Sequence, residues 1–231
     1  MKLLSSFLYS NRLFYYCSLF FIVVAAIMIL SFSKTDGFIL LTNHRSVALN
    51  IFFVNYTFFG DGIFALVLVF FLYYRKQKKL ALLLLIAFAS SGLTAQLLKN
   101  IIYAPRPRIY FEASQYIYHL DNFGNSGGGA SSFPSGHTTS AFALATILAL
   151  WFRKNTISVI LVMAAALVGY SRIYLAQHFP ADVIAGAGIG LVFGTVTFIV
   201  LYNIRRSALF KPASRYRRKI WDNRLHESVL Q

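Results

Sequence analysis

Six apolar stretches of membrane-spanning or nearly membrane-spanning length leave this 231-residue chain little choice of fold. They cover roughly residues 14–32, 51–74, 80–98, 138–152, 157–174 and 183–202. Hydrocarbon offers no partner to a backbone N–H or C=O, so a spanning segment must satisfy both internally, and a helix of ~20 mostly apolar residues does so. Composition agrees, with 58% hydrophobic and 13% charged residues and a mean hydropathy of +0.62, outside the mix of a soluble domain. The expectation is an all-α, polytopic membrane protein with six transmembrane helices. One domain over 1–204 is followed by a basic tail over 205–231, without internal repeats or low-complexity linkers. Ser31 and Ser33 are spaced like a signal-cleavage site, but the apolar run before them exceeds the roughly 7–15 residues of a signal core, so the first segment reads as a retained helix.

The formal net charge of +15 is explained by topology. Lys and Arg accumulate in short cytoplasmic loops. With the N-terminus inside, sixteen basic residues fall on the cytoplasmic side: Lys2, Arg12, four in RKQKK (75–79), Arg153, Lys154 and eight in the tail. Six fall outside: Lys34, Arg45, Lys99, Arg106, Arg108 and Arg172. Both termini are therefore expected in the cytoplasm. The basic residues lie between apolar runs instead of forming one stripe, so no nucleic-acid partner is expected. The tail reads as a segment lying against anionic headgroups. Cys17, the single cysteine, excludes an intramolecular disulfide and reads as a small packing or lipid-facing residue.

This orientation puts three polar clusters on the extracytoplasmic side. Lys99 to Pro107 reads KNIIYAPRP. Alone, Lys99 is an interfacial anchor and Arg106 a loop charge; together they offer a phosphate a point charge and a planar fork. Pro105 and Pro107 favour extended backbone around Arg106. Pro134 to His137 reads PSGH and opens a helix after NSGGGASSF. Ser135 is either an ordinary N-cap or part of an anion site at a helix N-terminus, where free amides meet negative oxygen. Gly136 permits close approach, and His137 stands where a proton can pass to a departing oxygen. Ser171 to Asp182 reads SRIYLAQHFPAD. Arg172, His178 and Asp182 there would be costly beside membrane-length segments unless paired or used. Asp182 either caps a helix opened by Pro180 or fixes the tautomer of His178. Metal phosphatases muster several carboxylates or histidines, whereas this face is rich in cations, so neither a metal nor another cofactor is expected.

The pattern Lys99-x6-Arg106-Pro107, then Pro134-Ser135-Gly136-His137, then Ser171-Arg172-x5-His178-x3-Asp182 resembles the three-part signature of the type 2 phosphatidic acid phosphatase (lipid phosphate phosphatase) superfamily, in its bacterial membrane-embedded branch. The signature runs over 99–182; the first 50 residues and the segment after Tyr202 carry no part of it. The resemblance implies a metal-independent phosphatase with a phosphohistidine intermediate. His178 is implied as nucleophile, Asp182 as its orienting partner and His137 as the acid for the leaving group. Lys99, Arg106, Ser135, Gly136 and Arg172 are implied as the cradle for phosphoryl oxygens.

A site at the outer boundary of a bacterial inner membrane, facing the periplasm, suits a lipid phosphate. Undecaprenyl pyrophosphate ranks narrowly first, followed by lipid A phosphates, with phosphatidylglycerol phosphate and phosphatidic acid behind. Vanadium haloperoxidases resemble the family in the same pocket, but a membrane-embedded chain argues against that chemistry. A non-enzymatic lipid carrier would need the helices without His178. Arg108 reads as a surface charge, and Tyr116, Tyr118, His119 and Asp121 as a rim. Gly60-Asp61-Gly62 inside the second segment, where a carboxylate is costly, either supports the site from below or allows close helix packing through its glycines; packing is the favoured reading, with Asp61 outside the catalytic set.

Overall fold

A computed structural model describes residues 11–113 and 131–204. Their regular structure is helical: α1 (Arg12–Ser31), α2 (Lys34–Thr42), α3 (Val47–Tyr56), a 3₁₀ turn (Thr57–Gly60), α4 (Gly62–Tyr74), α5 (Lys78–Ile101), α6 (Pro107–Ala113), α7 (Gly136–Phe152), α8 (Asn155–Tyr174) and α9 (Pro180–Ile204). Helices α1, α5, α8 and α9 are long and apolar enough to cross a membrane; α2 and the stretch Val47–Gly60 pass the same test only as a pair bent by 107°. Helices α4 and α7 are apolar but shorter, at 13 and 17 residues.

The apolar stretch over 51–74 is not one helix. It breaks after Gly60, where Asp61 takes an extended conformation (ψ 149°) and its carboxylate accepts from the Ile63 amide. Glycines on both sides weaken the helix, and a short carboxylate competes for its free amides, so the chain restarts with Asp61 as N-cap. Prolines set other boundaries. Helix α5 ends at Ile101, the chain from Ile102 to Arg106 is non-helical, and Pro107 opens α6. Pro180 opens α9. The missing N–H of proline costs nothing in a first turn.

Helix α7 is the hub, packed by α5, α8 and α9. It is buried along most of its length, and its polar side chains are satisfied locally: Thr139 and Thr146 hydroxyls donate to carbonyls four residues back, Ser135 and Phe142. Helix α9 approaches α7 through Gly186, Gly190 and Gly194, one per turn. A Cβ at Gly190 would lie 2.5 Å from the Thr139 carbonyl oxygen, and one at Gly194 2.7 Å from Thr146 Cβ. Without water to drive helices together inside a bilayer, backbone contact through small residues supplies the packing. Helix α1 joins this core: Phe14 is fully buried, Phe21 stacks on Phe142, and Tyr15 Oη lies 2.9 Å from Thr195 Oγ1. Cys17 lines an apolar groove of about 490 Å³ between α1 and α8. Outward, large apolar side chains such as Phe20, Leu30 and Phe70 stand more than two-thirds exposed, the surface of a protein solvated by lipid.

Candidate active site

Antiparallel helices gather at one end of the bundle what the sequence keeps apart. The C-terminal ends of α5 and α8 lie there beside the N-terminal ends of α4, α7 and α9. Backbone contacts tie these ends together. Pro105 pairs with Ser131, the Ser132 amide donates to the Ala104 carbonyl at 2.7 Å, and the Ser135 amide donates to the Asp182 carbonyl at 2.9 Å. The loop bearing Arg106, the PSGH turn and the start of α9 are thereby stitched into one floor.

His178 sits between α8 and α9, 2% exposed. Ala176, in the left-handed region at φ 54°, turns the chain so that the Gln177 and His178 amides both donate to the Arg172 carbonyl, at 3.0 and 3.2 Å. His178 Nδ1 faces Asp182 Oδ2 at 3.5 Å, an ionic approach longer than a hydrogen bond. Asp182 Oδ2 accepts from the Phe179 amide at 2.9 Å and from the Ser132 hydroxyl, which fix the carboxylate. Burial pushes His178 down to about 4, against the opposing pull of Asp182.

The guanidiniums of Arg106 and Arg172 converge on one acceptor. Arg106 Nη1 donates to Gln177 Oε1 at 2.7 Å and Arg172 Nη2 to the same oxygen at 3.4 Å, while Arg172 Nη1 donates to Thr57 Oγ1 at 2.8 Å. Arg172 Nε and His178 Nδ1 are buried without a hydrogen-bond partner among the described residues. Lys99 lies within electrostatic reach of Arg106, Arg172 and Asp182. Ser135 is fully buried; its hydroxyl caps α7, accepting from the Thr138 amide at 3.4 Å and pairing with Thr138 Oγ1 at 2.8 Å. Gly136 borders open space, with nothing within 4 Å of where a Cβ would be. His137 Nε2 lies 3.5 Å from Asp61 Oδ2.

All eight residues singled out in the sequence therefore belong to one neighbourhood: Lys99, Arg106, Ser135, Gly136, His137, Arg172, His178 and Asp182. Sequence reasoning missed Thr57, Ser132 and Gln177, and set Asp61 aside in favour of packing. Asp61 had a signal, a carboxylate inside an apolar run. Gln177 and Ser132 flank motif residues, but nothing in their spacing marks them. Arg108 forms an exposed ion pair with Glu112 at 2.8 Å, as a surface charge does. Tyr116, Tyr118, His119, Asp121 and the basic tail lie outside the described residues. Among the described residues, no group of three or more His, Cys, Asp or Glu is gathered to hold a metal ion.

A lipid-solvated helical bundle carrying two histidines, two carboxylates and three cations at one end defines a class: a membrane-embedded protein equipped to bind and handle an anion. The match of residues 80–206 to the PAP2 superfamily model makes the assignment definite, and the chain belongs to that superfamily. It is 32% identical to the lipid A 4'-phosphatase of Porphyromonas gingivalis over 143 residues, 60% of this chain and 59% of that relative's length. It is 29% identical to the undecaprenyl-diphosphatase BcrC of Bacillus subtilis over 175 residues, 74% of this chain and 81% of the relative. The crystal structure of Aquifex aeolicus LpxE superposes with a TM-score of 0.60 at 34% identity, covering 71% of this chain and 93% of that one.

Proposed function

We propose that this chain is a metal-independent lipid phosphate phosphatase working at the extracytoplasmic face of a bacterial inner membrane through a phosphohistidine intermediate. The observation that carries this reading is the buried Arg172 Nε, without a hydrogen-bond partner among the described residues, beside a His178 ring whose Nδ1 faces Asp182 and an open helix N-terminus at Gly136, a set of polar groups suited to an anionic ligand. Six spans follow if Val47–Tyr74 crosses as one broken helix and α7 crosses with its polar cap. Both termini then lie inside, and the basic residues of 75–79 and 153–154 lie at the bundle end opposite the site. The catalytic domain is taken as 1–204 and the basic tail as 205–231.

His178 attacks phosphorus through Nε2, the nitrogen opposite Asp182. A P–N bond forms, the P–O bond to the lipid breaks, and the departing oxygen takes a proton from His137. Water then attacks phosphorus and gives a proton to His137 as the P–N bond returns its electrons to His178. The balance is lipid phosphate plus water giving lipid alcohol, or lipid monophosphate from a diphosphate, plus inorganic phosphate. Lys99, Arg106 and Arg172 neutralise the equatorial oxygens of the loose transition state, Gly136 admits them to the α7 amides, and Ser135 holds that helix end in place.

A pocket at headgroup depth suits a substrate whose tails stay in lipid. Lipid A phosphates and undecaprenyl pyrophosphate are both supported by relatives. Purified protein in detergent with excess chelator is expected to release phosphate from one of these substrates, and His178→Ala to reduce release to background. Strict dependence on added divalent metal, or full activity of the variant, would overturn the reading. Comparing rates on the two substrates, with phosphatidic acid and phosphatidylglycerol phosphate alongside, ranks the substrates.

A further inference from the structure

His137 has a carboxylate of its own. Asp61 comes from a different element than the α7–α9 machinery, and the structure fastens it in place by two independent devices. Its Oδ1 accepts from the Ile63 amide at 2.7 Å as the N-cap of α4, which leaves Oδ2 facing His137 Nε2 at 3.5 Å. The preceding turn is seated directly on the first turn of α7. A Cβ at Gly60 would lie 2.8 Å from the His137 carbonyl oxygen and 2.6 Å from Val168 Cγ1, so only glycine lets the turn come this close. The break in the second apolar stretch therefore has a local result: it delivers one negative charge to one imidazole.

The sign of that charge matters because of what else surrounds the ring. The charged side chains acting on His137 are Arg172, Lys99 and, when protonated, His178, all cationic, and Asp61, which is anionic. An acid catalyst must hold its proton until the leaving oxygen takes it, and a ring half-buried among cations holds it poorly. We propose that Asp61 is the positioning residue of the acid: its carboxylate orients the His137 ring for the leaving group. It also offsets part of the proton loss that burial and the surrounding cations impose on that ring. The site then contains two His–carboxylate pairs with opposite tasks, His178–Asp182 for attack and His137–Asp61 for proton delivery. This rests on the phosphatase reading given above.

Asp61→Asn tests the proposal with little disturbance, since asparagine caps a helix as well as aspartate does. The variant is expected to lose on the order of tenfold in kcat on a lipid phosphate, whose alcohol is a poor leaving group. The loss on p-nitrophenyl phosphate, whose leaving group needs no proton, should be distinctly smaller. The alkaline limb of the kcat profile should move toward acid by about one pH unit. Histidine NMR of the detergent-solubilised protein, with the His137 signal assigned by its loss in His137→Gln, should show the same displacement. Equal losses on both substrates with unmoved limb and resonance would overturn the proposal, as would no loss on either. The NMR arm decides the Asp61–His137 coupling even if the wild-type chain releases no phosphate, a result that would count against the phosphatase reading alone.

Discussion

His178 is nearly sealed from water, and burial holds its imidazole neutral down to about pH 4. On the mechanism proposed above, such a nucleophile is available throughout the neutral range, so the acid limb of kcat/KM should lie well below the ordinary histidine value of 6.5. The same shift has a cost in stability. Between about pH 6.5 and 4 the unfolded chain binds a proton at this residue that the folded chain refuses. Stability is therefore full above that window and falls as pH drops through it, by at most about 3 kcal/mol. The thermal midpoint in detergent should fall further between pH 7 and pH 5 for wild type than for His178→Gln; parallel falls would contradict this. At this scale the sequence was informative because buried charge is expensive: Arg172, His178 and Asp182 stand out against an apolar background. Asp61 stood out equally, yet its flanking glycines already had an adequate explanation in packing. The packing reading and the positioning role proposed for Asp61 are compatible, since the close approach at Gly60 is what carries Asp61 to His137.

Two helix starts followed from local chemistry: Pro180 opens α9, and α7 starts at Gly136 behind its Ser135 cap. Helix α6, opened by Pro107, was not foreseen, because the prolines were read only as holding Arg106 extended. The break at residues 60–61 was hidden because hydropathy continues across it, and hydropathy reports on solvent, not on hydrogen bonding. Contact between α7 and α9 was likewise hidden: Gly186, Gly190 and Gly194 follow a one-per-turn spacing visible in the chain, but which helix they meet depends on the tertiary arrangement. The two helices should separate if that stripe is filled. Gly190→Ala brings a methyl against the Thr139 carbonyl and should cost about 1–3 kcal/mol, lowering the thermal midpoint by several degrees. Gly188→Ala on the same helix meets open space and should leave the midpoint unchanged or slightly raised. Equal effects of the two substitutions would show that the stripe does not carry the packing.

Across the whole molecule, apolar length and basic-residue asymmetry predict a bundle with its chemistry at one end, because antiparallel spans bring alternate loops to a common side. What such arithmetic omits is depth and rotation: it does not say that Gln177 collects both guanidiniums or that Ser132 braces Asp182. The central claim is that residues from five helix ends form one outward-facing pocket whose His178 becomes phosphorylated. Its most direct test uses sealed, right-side-out membrane vesicles, given a short-chain lipid phosphate labelled with ³²P from outside and quenched within the first turnover. The expected result is an acid-labile, alkali-stable label that maps to His178 without opening the vesicles. Phosphate release by wild type with no such label, label on another residue, or labelling only after the interior is exposed would contradict the account.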